Sequence, residues 1–114
     1  MYDPTPYMLD TLQPRLKVRA EAFVDYLRRA GLPLIITSGL RSIATQRLLL
    51  AQRRTTTLQS KHLDGLAFDV DVYGVGRNAV PAWVWSAIGP IGEGYGLTWG
   101  GRWVSFRDVG HFEL

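Results

Sequence analysis

The sequence predicts an α+β domain in which helices cover one side of a small, mainly antiparallel sheet. Three observations predict it. Leu12, Leu16, Ala20, Phe23, Val24 and Leu27 recur at three- and four-residue steps, the period of a helix with one buried stripe. From Leu66 to Tyr73 the chain alternates, with Phe68, Val70 and Val72 on one side and Ala67, Asp69 and Asp71 on the other, the period of a half-buried strand. The order of the elements, with short strands gathered near the C-terminus, favours antiparallel pairing over βαβ units.

The first helix is expected from about Pro14 to Ala30. Pro14 suits an opening turn, where a missing N–H costs nothing; Gly31 and Pro33 stop the helix and prevent its resumption. On its polar side Asp25 can meet Arg28 and Arg29. Leu34-Ile35-Ile36-Thr37 is a short β-branched run and reads as a buried strand. After the loop Ser38-Gly39-Leu40-Arg41, Ser42 is placed to cap a helix from about Ile43 to Gln52. Arg53 to Ser60 is polar and reads as an exposed loop.

The alternating strand follows, and Gly74-Val75-Gly76-Arg77-Asn78 turns the chain. A short helix is expected from Pro81 to about Ile88, with Pro90 breaking or restarting it, and glycines 92, 94, 96, 100 and 101 predict a loop-rich stretch. The last strands are placed at Leu97–Trp99, Trp103–Phe106 and His111–Leu114, with Gly100-Gly101 as a hairpin turn. In the final strand His111 and Glu113 share a face, and Phe112 and Leu114 turn to the core.

At 114 residues the chain is expected to be a single domain, 1–114, large enough for a real core but not for a second module. No apolar run approaches the ~20 residues that span a bilayer. The start, Met1-Tyr2-Asp3-Pro4, lacks the basic and apolar regions of a secretory signal, so synthesis in the cytoplasm is expected. The absence of cysteine removes disulfides and thiolate metal sites, leaving nitrogen and oxygen as the donors for any metal. The net charge is +3, which favours an anionic partner without deciding which.

Chemistry concentrates around the two histidines. One frame reads Ser60-Lys61-His62-Leu63-Asp64-Gly65-Leu66-Ala67-Phe68-Asp69, the other Asp108-Val109-Gly110-His111-Phe112-Glu113. A hydrolytic zinc site takes three protein ligands and leaves a fourth position for water; a carboxylate that is not a ligand then takes the water's proton. His62, Asp69 and His111 can supply the ligands and Asp108 the base. They meet only if the strands carrying Asp69 and His111 are neighbours. Glu113 can orient His111. Asp71 reads equally as a support for Asp69 or as a strand-edge hydrogen-bonding residue, and Asp64 as a turn residue. Gly92-x-Gly94-x-Gly96 lacks the strand–turn–helix setting of a dinucleotide loop. Of the four tryptophans, Trp99 and Trp103 are the candidates for a substrate groove.

Ser38-Gly39-Leu40-Arg41-Ser42, then Ser60-x-His62 with Asp69 seven residues on, then Asp108-x-x-His111, resemble the zinc peptidases of bacterial cell walls. That family includes VanY- and VanX-type D-alanyl-D-alanine peptidases and phage endolysins that cut the L-alanyl–D-glutamate bond. The resemblance runs from about Ile35 to Leu114, and Gly96-Leu97-Thr98-Trp99-Gly100-Gly101-Arg102-Trp103 with Phe106-x-Asp108 is most similar to the endolysin branch. It implies Zn2+ on His62, Asp69 and His111, with Asp108 as the base that also protonates the leaving amine. It further implies Arg41 on the scissile carbonyl oxygen or a substrate carboxylate, and Ser60 assisting by hydrogen bonding. Two positions depart from the pattern: Asp108 stands where dipeptidase and carboxypeptidase members often carry Glu, and Gly110 where many endolysins carry Pro. Neither removes a needed chemical group. The implied partner is a peptidoglycan stem peptide, met by a monomer acting on the cell wall, with no nucleic acid and no transmembrane segment. The alternatives are a D-alanyl-D-alanine carboxypeptidase using the same site, and a basic domain that binds an anionic polymer around a non-catalytic metal.

Overall fold

A computed structural model describes residues 2–52 and 60–114; the polar segment 53–59 lies outside the described residues, so its expected loop is not addressed. Four strands, β1 (Leu34–Ser38), β2 (Ala67–Val72), β3 (Thr98–Trp99) and β4 (His111–Glu113), form one sheet in the order β1-β2-β4-β3. Every neighbouring pair is antiparallel. Among the described residues four α-helices accompany it: α1 (Thr5–Asp10), α2 (Pro14–Arg29), α3 (Ile43–Ala51) and α4 (Ala82–Gly94). The fold is the expected α+β arrangement.

Period 3.6 and period 2 meet at the core. Leu16, Ala20, Phe23, Val24 and Leu27 of α2 are buried against Phe68 and Val70 of β2 and Phe112 of β4. Phe68 and Phe112 are cross-strand partners whose rings stack with centroids 5.8 Å apart, and Phe23 lies 4.8 Å from Phe112. Helix α2 opens at Pro14 and is followed by Gly31 with φ +95°, a conformation that costs glycine no Cβ clash. Asp25 pairs with Arg29 at 2.9 Å. Arg28 instead reaches the Leu34 carbonyl and Asp3.

Helix α1 carries no apolar period long enough to be read from sequence. Its Thr5 hydroxyl accepts from Ile36 N–H at 2.8 Å, satisfying a donor on the outer edge of β1 that would otherwise invite strand pairing. Ser42 caps α3 as expected, its hydroxyl accepting from Thr45 N–H.

The C-terminal third differs from expectation in three respects. Pro90 lies inside α4, and the helix runs through Gly92 to Gly94. Tertiary packing outweighs the proline: a Cβ on Gly89 would overlap the Trp99 ring and one on Gly92 the Phe112 ring, so these glycines let the helix lie directly on the sheet's aromatic residues. Gly100-Gly101 forms a 3-10 turn, Gly100–Arg102, rather than a hairpin. Trp103–Phe106 is a loop and not a strand; β3 pairs with β4 across the whole 100–110 excursion, which leaves that loop free to border the opposite face of the sheet. Among the described residues no helix is long and apolar enough to cross a membrane.

Candidate active site

The face of the sheet turned away from α2 carries the polar residues of β2 and β4. Asp69 pairs directly with His111, and Ala67 with Glu113. His62 arrives from outside the sheet, on a 3-10 turn spanning Lys61–Asp64. Ser60 opens that turn by accepting from His62 N–H, and Gly65, with φ +69°, closes it. Asp64 is a turn residue; its carbonyl accepts from Gln13. The loop bearing Arg41 is tied on by a bond from Arg41 N–H to the His62 carbonyl, 2.9 Å.

One ligand atom from each of His62, Asp69 and His111 lies within 4.8 Å of the others. Both rings are held by their far nitrogens. His62 Nδ1 is 2.8 Å from the Gly39 carbonyl, which can only accept, so Nδ1 carries the proton and Nε2 is left as an acceptor. That Nε2 is buried, lies 3.3 Å from Asp69 Oδ2, and has no hydrogen-bond partner among the described residues. His111 Nε2 is 2.8 Å from Glu113 Oε1, and its Nδ1 is 3.1 Å from Asp69 Oδ1. A buried nitrogen without a donor, facing a carboxylate and a second imidazole, completes a set of nitrogen and oxygen donors that could hold a metal ion.

The electrostatics follow from this packing. Burial alone would raise the Asp69 pKa, but the hydrogen bond from His111 and the positive charge on that ring hold its carboxyl well below the usual range. Burial likewise opposes charge on His111, yet Asp69 and Glu113, with the more distant Asp108, push its pKa up to about 9. The bond from His111 lowers Glu113 in turn. In the metal-free protein a proton on His111 thus offsets part of the negative charge of the two carboxylates beside it.

A cleft of about 370 Å³ opens over the cluster, and Arg41, Ser60 and Asp108 line it together with His62, Asp69 and His111. Arg41 is largely buried and its guanidinium stands 3.6 Å from Asp69 Oδ2. All six residues singled out in the sequence therefore border one cavity. Trp103 adjoins it, its ring 4.9 Å from that of His111. Trp99 does not: it is buried, and its Nε1–H donates to the Val109 carbonyl. The small Gly89 and Gly101 opposite its ring draw it into the core.

Three cleft residues carried no readable signal, Leu49, Arg77 and Arg107, while Phe106 entered only as part of the endolysin-like stretch. Arg77 looks like an ordinary turn residue, yet it reaches Asp71 and Asp108 at 3.6 and 3.5 Å. Asp71 accordingly faces Arg77 and not the histidines; burial raises its pKa despite that partner. Phe106 has φ +51°, a left-handed conformation uncommon outside glycine, and it turns the 103–107 loop over the rim.

A family model described as D-alanyl-D-alanine carboxypeptidase matches residues 53–114. The peptidoglycan L-alanyl-D-glutamate endopeptidase CwlK of Bacillus subtilis is 28% identical over 124 residues, covering 90% of this chain and 73% of that protein. The crystal structure of the Serratia marcescens L-Ala D-Glu endopeptidase ChiX superposes with a TM-score of 0.76 at 30% identity, over 96% of this chain and 85% of that one. The D,D-pentapeptidase VanY, solved with Zn(II), shares the fold at 16% identity and a TM-score of 0.68, over 90% of this chain and 71% of that one.

Proposed function

The chain belongs to the peptidase family described as D-alanyl-D-alanine carboxypeptidase, and on that premise we propose that it is a zinc peptidase of the bacterial cell wall that hydrolyses peptidoglycan stem peptides at the L-alanyl–D-glutamate bond. The observation that carries this reading is the convergence of His62, Asp69 and His111 in a cleft that Asp108 and Arg41 also line. The choice of bond is supported by CwlK and ChiX, both named for that cleavage.

The two imidazoles and the carboxylate are nitrogen and oxygen donors of the kind zinc takes, and His62 Nε2, without a hydrogen-bond partner among the described residues, is available as a ligand. When bound, zinc supplies Lewis acidity and makes a water acidic enough to serve as nucleophile near neutral pH. The Gly39 carbonyl and Glu113 keep His62 Nε2 and His111 Nδ1 turned to a common point. Asp108 accepts the proton of the attacking water on its carboxylate and passes it to the leaving amine. Arg41, always charged and planar, donates to the scissile carbonyl oxygen as negative charge gathers there. Ser60 assists by holding the turn that presents His62. Residues 1–114 work as one catalytic domain and as a monomer.

A synthetic stem peptide with an amidated C-terminus tests the reading. Mass spectrometry is expected to find cleavage between L-Ala and D-Glu in both the amide and the free acid. Release of D-Ala from the free acid, with no cleavage of the amide, would instead assign a D-alanyl-D-alanine carboxypeptidase. Binding of purified wall without any hydrolysis by the zinc-loaded protein would leave the anionic-polymer domain.

A further inference from the structure

The Asp108 carboxylate sits on the 107–110 loop, outside any strand. Its backbone is held: Asp108 N–H donates to the Gly100 carbonyl at 3.1 Å, and the Asp108 carbonyl accepts from His111 N–H at 3.3 Å. Its side chain has one hydrogen-bonding or ion-pairing partner among the described residues, Arg77. That arginine is itself anchored on β2. Its Nη2–H donates to the Val70 carbonyl at 3.1 Å, Nε lies 3.6 Å from Asp71 Oδ1, and Nη1 lies 3.5 Å from Asp108 Oδ1. One planar guanidinium therefore spans the strand that carries Asp69 and the loop that carries Asp108. A lysine's single ammonium has no equivalent reach in three directions.

Gly110 makes this crossing possible. A Cβ there would stand 2.7 Å from Arg77 Nη2 and 2.9 Å from both Arg77 Cζ and the Val70 carbonyl oxygen. The missing side chain is the space in which the guanidinium lies, and Gly110 is the neighbour of His111 that lets β4 pass so close to β2.

We propose that Arg77 is a positioning residue: it clamps the Asp108 carboxylate to β2, at a set distance from the His62–Asp69–His111 cluster, with Gly110 as the gap that admits it. The inference rests on the proposed peptidase reading, in which Asp108 moves the proton. Among the described residues the hydrogen-bonding and ion-pairing partners of Arg77 are Val70, Asp71 and Asp108, none of them in the His62–Asp69–His111 cluster, so it acts through Asp108. A carboxylate free to rotate out of the cleft is no longer in line with the water it must deprotonate, and a misplacement of ~1 Å can cost ~100-fold in rate.

The test compares crystal structures, zinc content and steady-state kinetics of Arg77→Ala and Arg77→Lys with the zinc-loaded wild type. Expected for Arg77→Ala are an Asp108 side chain displaced from its wild-type position, one zinc per chain, an unchanged KM and a kcat lower by ~100-fold. Arg77→Lys restores a cation beside Asp108 and is expected to recover part of kcat. Under enzyme excess, Arg77→Ala should cost little more in an Asp108→Asn background, since both changes remove the same function. A raised KM with kcat retained would make Arg77 a substrate-binding residue and overturn the proposal, as would loss of zinc or an undisplaced Asp108. If Arg77→Ala does not fold, Arg77→Gln, which keeps a donor for the Val70 carbonyl, carries the same comparison. A wild type that cleaves no stem peptide would count against the proposed function, while the position of Asp108 in the variant crystals would still judge the clamp.

Discussion

Asp69 and His111 stand directly opposite one another across the antiparallel pair of β2 and β4, with Oδ1 3.1 Å from Nδ1. Two residues 42 positions apart in sequence become cross-strand partners because Phe68 and Phe112, one step along, must both face the core. A slip of one residue in either strand would put that strand's polar residue, Asp69 or His111, into the hydrophobic layer. The packing of α2 therefore sets the register of the polar cluster on the other face.

Removing His62 separates metal binding from folding. His62→Ala is expected to lose zinc and all hydrolysis while the sheet persists. The ring is fully buried and its Nδ1–H serves the Gly39 carbonyl, so loss of that bond should also cost about 1–3 kcal/mol. Zinc titration and thermal unfolding on the same sample check both parts.

Asp108 behaves differently if it moves the proton and holds no metal. Asp108→Ala is expected to bind one zinc per chain and to lose turnover by ~100-fold or more. A variant that loses zinc, yet hydrolyses stem peptide once zinc is restored, would exchange the roles of base and ligand.

Glu113 contributes through His111. Its carboxylate, 2.8 Å from Nε2, fixes the ring so that Nδ1 faces Asp69 and His62. Glu113→Gln retains a hydrogen-bonding group but not the charge, and zinc affinity is expected to fall by ~10–100-fold. Competition against a chelator of known affinity measures it.

Acid should weaken metal binding over a window set by His111. Its pKa in the metal-free fold is raised to about 9, so below that pH zinc must displace a proton from Nδ1. Affinity is expected to climb by about tenfold per pH unit up to pH 9, with about one proton released per zinc. Calorimetry in buffers of different ionisation enthalpy reports the release. The same shift acts on the metal-free protein in the opposite sense. With the folded pKa above the unfolded value near 6.5, the stabilisation is complete below about pH 6.5 and disappears as pH rises through 9. Chelator-treated protein should accordingly melt at a lower temperature at pH 9.5 than at pH 6.5, a loss that zinc reverses.

The contact of α4 with the sheet gives a prediction independent of catalysis. Gly89→Ala places a methyl group into the Trp99 ring, and overpacking of this kind costs about 1–3 kcal/mol. A lowered denaturant midpoint with an unchanged m-value, and zinc still bound at one per chain, is the expected result.

Local chemistry wrote much of this protein directly into its sequence. Helix α2 with its Pro14 start and Gly31 stop, the Ser42 cap, and the alternation of β2 all follow from side-chain size, backbone freedom and hydrogen bonding within a few residues. Of the six candidate site residues, His62, Asp69, His111 and Asp108 were legible because metal and acid–base chemistry demands rare residue types and this chain has two histidines to spend, while Arg41 and Ser60 were legible only through the resemblance to cell-wall zinc peptidases. Tertiary structure decided the rest. Pro90 stays inside α4 because Trp99 and Phe112 pack onto Gly89 and Gly92. Trp99 is core while Trp103 reaches the cleft, since a 3-10 turn at Gly100–Arg102 stands where a hairpin was expected. Arg77 joins the cleft through contacts with Val70, Asp71 and Asp108, of which the last is 31 residues away. Such positions depend on which surfaces meet, and that is settled by burial of the whole core rather than by the residues on either side.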